Sequence, residues 1–266
     1  MKIPTFVSSL DSIIKGGMPI GTSALLMGDP GAGNFEFAIT SASKHALAIE
    51  GKLPLELEGR EVKPLNGILY VTISKPQKEI QRSFRLIMDE ALVRALESHI
   101  SYVDLSGIYY SRSQIPASWI GKSTLKDKED FITVLFKSLE EKGRGKLIII
   151  DSLTDLFTWR DFDFNKILDL SRGVTRVVKE WDSVAYTLMT RNITDPKNEN
   201  ILIEIFDGAM VFRWSESENI SKRFRYMYIP KFIGVLQFIE KERIEKFDTQ
   251  FDYNTGMVIL NITRVR

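Results

Sequence analysis

SALLMGDPGAGNFEFAIT, residues 23–40, decides the fold. Ser23–Gly28 reads as a short buried strand, GDPGAGN as a glycine-rich turn, and residues 34–49 as a helix. A strand that feeds a helix through such a turn gathers backbone N–H groups at the helix N-terminus, where the helix dipole favours an anion. Outward from this unit the chain alternates short apolar runs with amphipathic stretches. That alternation predicts an α/β fold with a mostly parallel sheet. The further strands expected are 67–73 (GILYVTI), 99–105, 146–151 (KLIIID) and 183–190 (SVAYTLMT). Helices are expected from near Pro76 and over 128–142 and 164–181. The last third predicts short strands near 207–213, 222–230 and 234–240. Residues 244–262 should form a closing hairpin that turns at Asn254, Thr255 and Gly256. Residues 50–66 and 106–127 have no clear period and are expected as irregular insertions in one domain spanning 1–266.

The bulk properties narrow the function. Among 266 residues, 36 Lys and Arg stand against 35 Asp and Glu, which gives no general pull toward nucleic acid or an anionic membrane. Cysteine is absent, so disulfides, thiolate metal sites and cysteine nucleophiles are excluded. His45 and His99 are far apart in sequence and are expected to be satisfied or surface residues, not metal ligands. No run approaches the ~20 apolar residues of a membrane span, and a cytoplasmic location is expected.

The glycine turn has the frame of the phosphate-loop pattern G-x-x-x-x-G-K-[ST] without its chemistry. Gly28, Asp29, Pro30, Gly31, Ala32 and Gly33 supply the frame; Asn34 and Phe35 follow where a lysine and a hydroxyl are required. Asn34 brings no cation to a phosphate, and Phe35 has no oxygen for Mg²⁺. The strand 146–151 ends in Asp151, the form of an acidic metal-binding strand. With the loop cation missing, Asp151 is expected to cap the next turn instead. Phe35 is expected to fill the old phosphate cavity. The alternative is a vacated, partly apolar pocket suited to a peptide.

The order of these motifs resembles the KaiC-like branch of the RecA superfamily, including archaeal RadA-like relatives. Leu10–Asp11 followed by Gly16–Gly17–Met18–Pro19–Ile20–Gly21 is similar to the opening motif of that family. LYVTISKPQKEI (69–80), LIIIDSLTDL (147–156), LMTRN (188–192), DGAMVFR (207–213), RFRYMYIPKFIG (223–234) and FDYNTGMVI (251–259) resemble its later segments in order. The resemblance implies a RecA-like P-loop NTPase fold, with antiparallel strands at the C-terminal end of the sheet.

The resemblance also implies what this chain lacks. The glutamate pair of the family falls on Ser74 and Lys75. The family's K-x-R-G motif leaves Lys231 but puts Ile233 at the arginine. The expected function is therefore a non-hydrolysing pseudo-ATPase acting as a protein-interaction scaffold or regulator. No cofactor is expected, with ATP and Mg²⁺ as the alternative. One rival reading is an ATP-binding protein with weak, unorthodox ATPase activity, in which Lys75 supplies the missing cation. The other is a recombinase-related DNA-binding protein. The partner is expected to be a protein or peptide, with self-association through a RecA-type interface. Nucleic acid is not expected, because RNITDPKNEN offsets its basic residues with acidic ones. Lys222, Arg223 and Arg225 are expected on a solvated sheet edge, and Tyr109, Tyr110 and Trp119 in core or loop packing.

Overall fold

The computed structural model describes residues 1–53, 56–57, 60–61, 64–111, 113, 115–120, 131–159, 162–215 and 223–264. The chain opens with β1 (Lys2–Ile3), α1 (Ser8–Ile13) and β2 (Met18–Pro19), β1 and β2 pairing antiparallel. β3 (Ser23–Gly28) then enters α2 (Asn34–Ile49) through the glycine turn, with the limits expected from the sequence. A small hairpin follows, β4 (Glu56–Leu57) with β5 (Arg60–Glu61), inside the stretch expected as a loop. Next come β6 (Ile68–Thr72), α3 (Gln77–Ile87), α4 (Glu90–His99) and β7 (Ile100–Asp104). After them stand α5 (Ser106–Ser111), α6 (Ala117–Ile120) and α7 (Phe131–Lys142), then β8 (Leu147–Asp151), α8 (Leu153–Thr158) and α9 (Phe164–Glu180). β9 (Val184–Thr190), α10 (Pro196–Ile205), β10 (Gly208–Trp214), β11 (Arg225–Phe232), α11 (Leu236–Lys241), β12 (Ile244–Asp252) and β13 (Gly256–Arg264) complete the order.

Nine strands form one sheet in the order β13-β12-β11-β10-β3-β9-β8-β6-β7. Every pair from β10 to β7 is parallel, and β10 through β13 run antiparallel. The inner strands are apolar along their whole length because helices cover both faces. Tyr70, Leu26, Ile149 and Tyr186 belong to one buried layer, and Leu25, Val71, Ile150 and Ala185 to the other. The register sets Gly28 beside Thr190 on one flank and Phe212 on the other, and Thr72 beside Asp151. The carboxyl ends of β3, β6, β8, β9 and β10 therefore meet at one rim, where open α/β sheets place ligands.

The first residues are fixed to α2 by a polar knot. Asp11 accepts from Thr5 N and Thr5 Oγ1, both at 2.8 Å, and from Phe6 N at 2.7 Å. His45, fully buried, meets Ser41 O through Nδ1 at 2.9 Å and the edge of the Phe6 ring. Lys44 donates to Phe6 O at 3.1 Å.

Several expectations are corrected. The stretch expected as a strand at 234–240 is mostly α11. Gly234 turns the chain at φ +73°, and Leu236 and Ile239 then face inward at helical spacing. The stretch after LMTRN, whose fold the sequence left unassigned, enters α10 at Pro196, a position where a proline needs no N–H partner. Arg223 is exposed, but Arg225 does not lie on a solvated edge. β11 runs between β10 and β12, and Arg225 pairs with Glu36 at 3.3 Å and stacks over Trp214. Lys222 lies outside the described residues.

The described part of 106–127 is helical in α5 and α6; residues 112, 114 and 121–127 lie outside the described residues, as do 54–55, 58–59 and 62–63 of the 50–66 stretch. Tyr109 packs on Tyr110 and Trp159 as expected, whereas Trp119 is 81% exposed. No helix among the described residues is long and apolar enough to cross a membrane.

Candidate functional site at the glycine turn

The turn is shaped by its own backbone. Asp29 N donates to Phe212 O at 3.0 Å, and Ala32 N donates to Asp29 O at 2.9 Å. Gly31 and Gly33 take φ of +72° and +119°, a region where a side chain is strained. At Gly33 a Cβ would also come within 2.8 Å of the Met257 side chain. α2 begins without a side-chain cap. The N–H groups of Gly31, Asn34 and Phe35 meet no acceptor among the described residues. They are the orphan donors of a helix start.

A cavity of about 280 Å³ opens above this turn. Its wall includes Gly28, Asp29, Pro30, Gly31, Asn34 and Phe35 from the turn, Ser74 and Lys75 after β6, and Asp151 at the end of β8. Ser152, Thr154 and Asp155 from the start of α8, and Leu188, Met189 and Thr190 of β9, complete it. Lys75 therefore shares the cavity with the turn, as the sequence left open. Ala32 and Gly33 are buried beneath it and do not line it.

Each altered position has a definite structural use. The Asn34 amide turns back to the sheet, with Nδ2 donating to Leu26 O at 3.2 Å and Met189 O at 3.5 Å. The Phe35 ring stacks on Phe84 of α3, centroids 6.3 Å apart. It forms part of the wall and does not close the cavity, correcting the expectation that it fills the space. Phe37 faces away, buried against Tyr186 and Phe212.

The expectation that Asp151 caps the next turn is also corrected. Asp151 accepts from the Tyr70 hydroxyl at 2.6 Å. The cap is a box whose N-cap is Ser152: Asp155 Oδ2, one turn in, accepts from Ser152 N at 3.2 Å and Ser152 Oγ at 3.0 Å. Burial raises the Asp151 carboxyl above its ordinary value, while the Lys75 charge and the Tyr70 hydrogen bond pull it back.

Two arginines hold the turn from outside through Asp29. Arg191 Nη1 lies 2.8 Å from Asp29 Oδ1, and Arg213 Nε lies 3.6 Å from Asp29 Oδ2. Trp214 Nε1 donates to Pro30 O at 3.1 Å. The roles of Arg191, Arg213, Trp214 and Tyr70 were not read from the sequence. Their contacts depend on β9 and β10 flanking β3, and on β6 lying beside β8, which is knowable only from the sheet order. Lys231 is held within its own chain by Glu204, through the backbone carbonyl and by a carboxylate at 3.3 Å, and Ile233 is 61% exposed.

The donor set does not fit a divalent metal. Mg²⁺ asks for oxygen ligands in near-octahedral array. Position 35 offers a ring, positions 74 and 75 offer no carboxylate, and Asp151 is engaged by Tyr70. Among the described residues no three His, Asp or Glu side chains group to hold a metal ion.

Strand order, the glycine turn after β3 and the carboxylate that ends β8, beyond the intervening β9, are those of a RecA-like α/β fold. The solved structure of KaiC-like protein PH0186 from the hyperthermophilic archaeon Pyrococcus horikoshii OT3 is similar, with a TM-score of 0.68 over 98% of this chain and 99% of that one. At 18% sequence identity the likeness is one of fold. No protein-family model matches the sequence, and neither does any curated protein.

Proposed function

We propose that this chain is a pseudo-ATPase, a RecA-like protein that does not hydrolyse ATP and acts as a scaffold or regulator through contacts with another protein. The observation that carries the reading is the conversion of both chemical positions of the turn to structural use. Asn34 bonds the sheet, and Phe35 packs on Phe84. Phosphoryl transfer rests on positioning and charge neutralisation; a general base contributes roughly 10²–10⁴ in rate and a trans-acting arginine roughly 10³–10⁵. Ser74, Lys75 and Ile233 occupy the positions where the resemblance puts those groups, and Lys231 is engaged by Glu204 of its own chain. Self-association through a RecA-type interface belongs to the same reading. Of the stripe Lys222, Arg223 and Arg225, Arg225 is paired with Glu36, which weighs against DNA binding.

The test is phosphate release by the purified chain under saturating Mg-ATP. The expected result is no release above the buffer rate. Turnover that Lys75→Ala abolishes would establish the unorthodox ATPase instead.

A further inference from the structure

We infer that the groove between α7 and α9 is a docking site for a basic, amphipathic helix of a partner protein. The inference deepens the proposed function and rests on it in one respect: the chain is taken to work by contact with another protein. The groove holds about 320 Å³ and is separate from the glycine turn. Arg144 and Trp181, at one end of it, stand just before β8 and β9, whereas the cavity over the turn lies at the carboxyl ends of those strands. A partner seated here leaves the turn uncovered.

The groove is built from residues that the core does not need. α7 buries Phe131, Leu135 and Leu139 at helical spacing. Phe136 falls off that stripe, belongs to neither buried layer and is 39% exposed. Its ring walls one side of the groove, and Val174, Val177 and Trp181 wall the other. Between them stands Gly173, in the interior of α9. Glycine destabilises a helix interior relative to alanine, and packing does not demand it here. An added Cβ would meet nothing nearer than the Phe136 ring at 3.6 Å, an ordinary contact. The missing side chain keeps the floor of the groove open.

Charge selects the occupant. Glu140 and Glu180 line the groove, are exposed and carry no ion pair among the described residues. Arg144, the one cation of the lining, is turned onto the Trp181 ring, its Cζ 5.4 Å from the centroid. The charges left for a partner are therefore two carboxylates beside an apolar floor, which a lysine or arginine next to an apolar side chain complements. The form of the occupant follows from the walls. Both are helices whose main-chain groups bond within their own ladders, so an extended peptide finds no strand edge to join. Recognition rests on side chains, as when an amphipathic helix lies in a groove. From Gly173 to Trp181 the groove runs about 12 Å, roughly two turns of such a helix.

Selection from a random-peptide display library on the immobilised full chain tests the inference, with Gly173→Leu as the counter-selecting protein. Phe136→Gln, a change at an exposed position, takes its place if circular dichroism shows Gly173→Leu unfolded. The expected binders are helix-forming peptides with apolar residues three and four apart and Lys or Arg beside them. A resynthesised binder should lose about tenfold or more in affinity when the groove is filled by Gly173→Leu or loses its wall in Phe136→Gln. Glu140→Gln together with Glu180→Gln should weaken it about threefold to tenfold, and less in high salt, the effect of two exposed charge pairs. Acidic or proline-rich binders, no binder that depends on Gly173 or Phe136, or an affinity indifferent to the paired glutamate changes overturns the inference. Each of those results leaves the non-hydrolysing reading standing, while phosphate release under Mg-ATP sinks that reading and does not touch the groove.

Discussion

Asp11 and His45 should make opposite contributions to the pH dependence of stability, and removing either should expose the other. Burial raises the Asp11 carboxyl from 3.8 to about 6, against the pull of its hydrogen bonds from Thr5 and Phe6 and the charge of Lys44. Between those values the folded chain binds the proton more tightly than the unfolded chain, so this group favours folding at low pH. Its stabilisation is lost as pH rises through 6. At roughly 1.4 kcal/mol per pH unit the window is worth about 3 kcal/mol. Burial lowers the His45 imidazole from 6.5 to about 4, partly offset by its bond to Ser41 O. Here the unfolded chain binds the proton first. Stability is present above 6.5 and is lost as pH falls toward 4, again by about 3 kcal/mol.

The two slopes offset each other across most of pH 4 to 6. Urea unfolding from pH 4 to 7, with each protein referred to its own value at pH 7, reads the balance directly. Relative to the wild-type profile, Asp11→Asn should lose about 3 kcal/mol on acidification to pH 4, because the His45 slope is then unopposed. His45→Phe, which keeps a ring against Phe6, should gain about as much over the same range. Two variant profiles running parallel to the wild type would refute the reasoning.

Two further predictions concern the frame of the site. Trp214→Phe keeps the ring but removes the N–H···O bond to Pro30, so the turn should loosen by about 1 kcal/mol. Faster amide hydrogen exchange at Ala32, whose N–H bonds Asp29 O, with unchanged exchange in α9, checks this. Gly256→Ala should destabilise by at least about 1–2 kcal/mol, because φ is +76° and the new Cβ would lie 2.6 Å from Thr40 Oγ1. The urea midpoint measures it.

The parallel half of the sheet was legible because its strands are short apolar runs bounded by turn residues. β3 and α2 match their expected limits, and β6, β8 and β9 fall within a residue or so of theirs. The hairpin at Asn254–Gly256 was legible from its turn chemistry. α11 was missed because an apolar run in 234–240 fits either period, and only the turn at Gly234 decides between them. That Asn34 brings no cation and Phe35 no oxygen to the turn could be read directly. Where those side chains go instead could not be read. The carbonyl partners of Asn34 sit on β3 and β9, and the Phe35 ring meets a helix more than forty positions further along the chain. The Asp29 clamp was hidden for the same reason, since Arg191 and Arg213 become neighbours only once β3 lies between β9 and β10.

The stacking of Phe35 on Phe84 makes the present form of the turn hard to reverse. A serine or threonine at 35 would restore an oxygen but withdraw apolar contact from a fully buried ring. Building a metal ligand at position 35 would then demand a second, compensating change in α3, and the single change alone would give a less stable sequence.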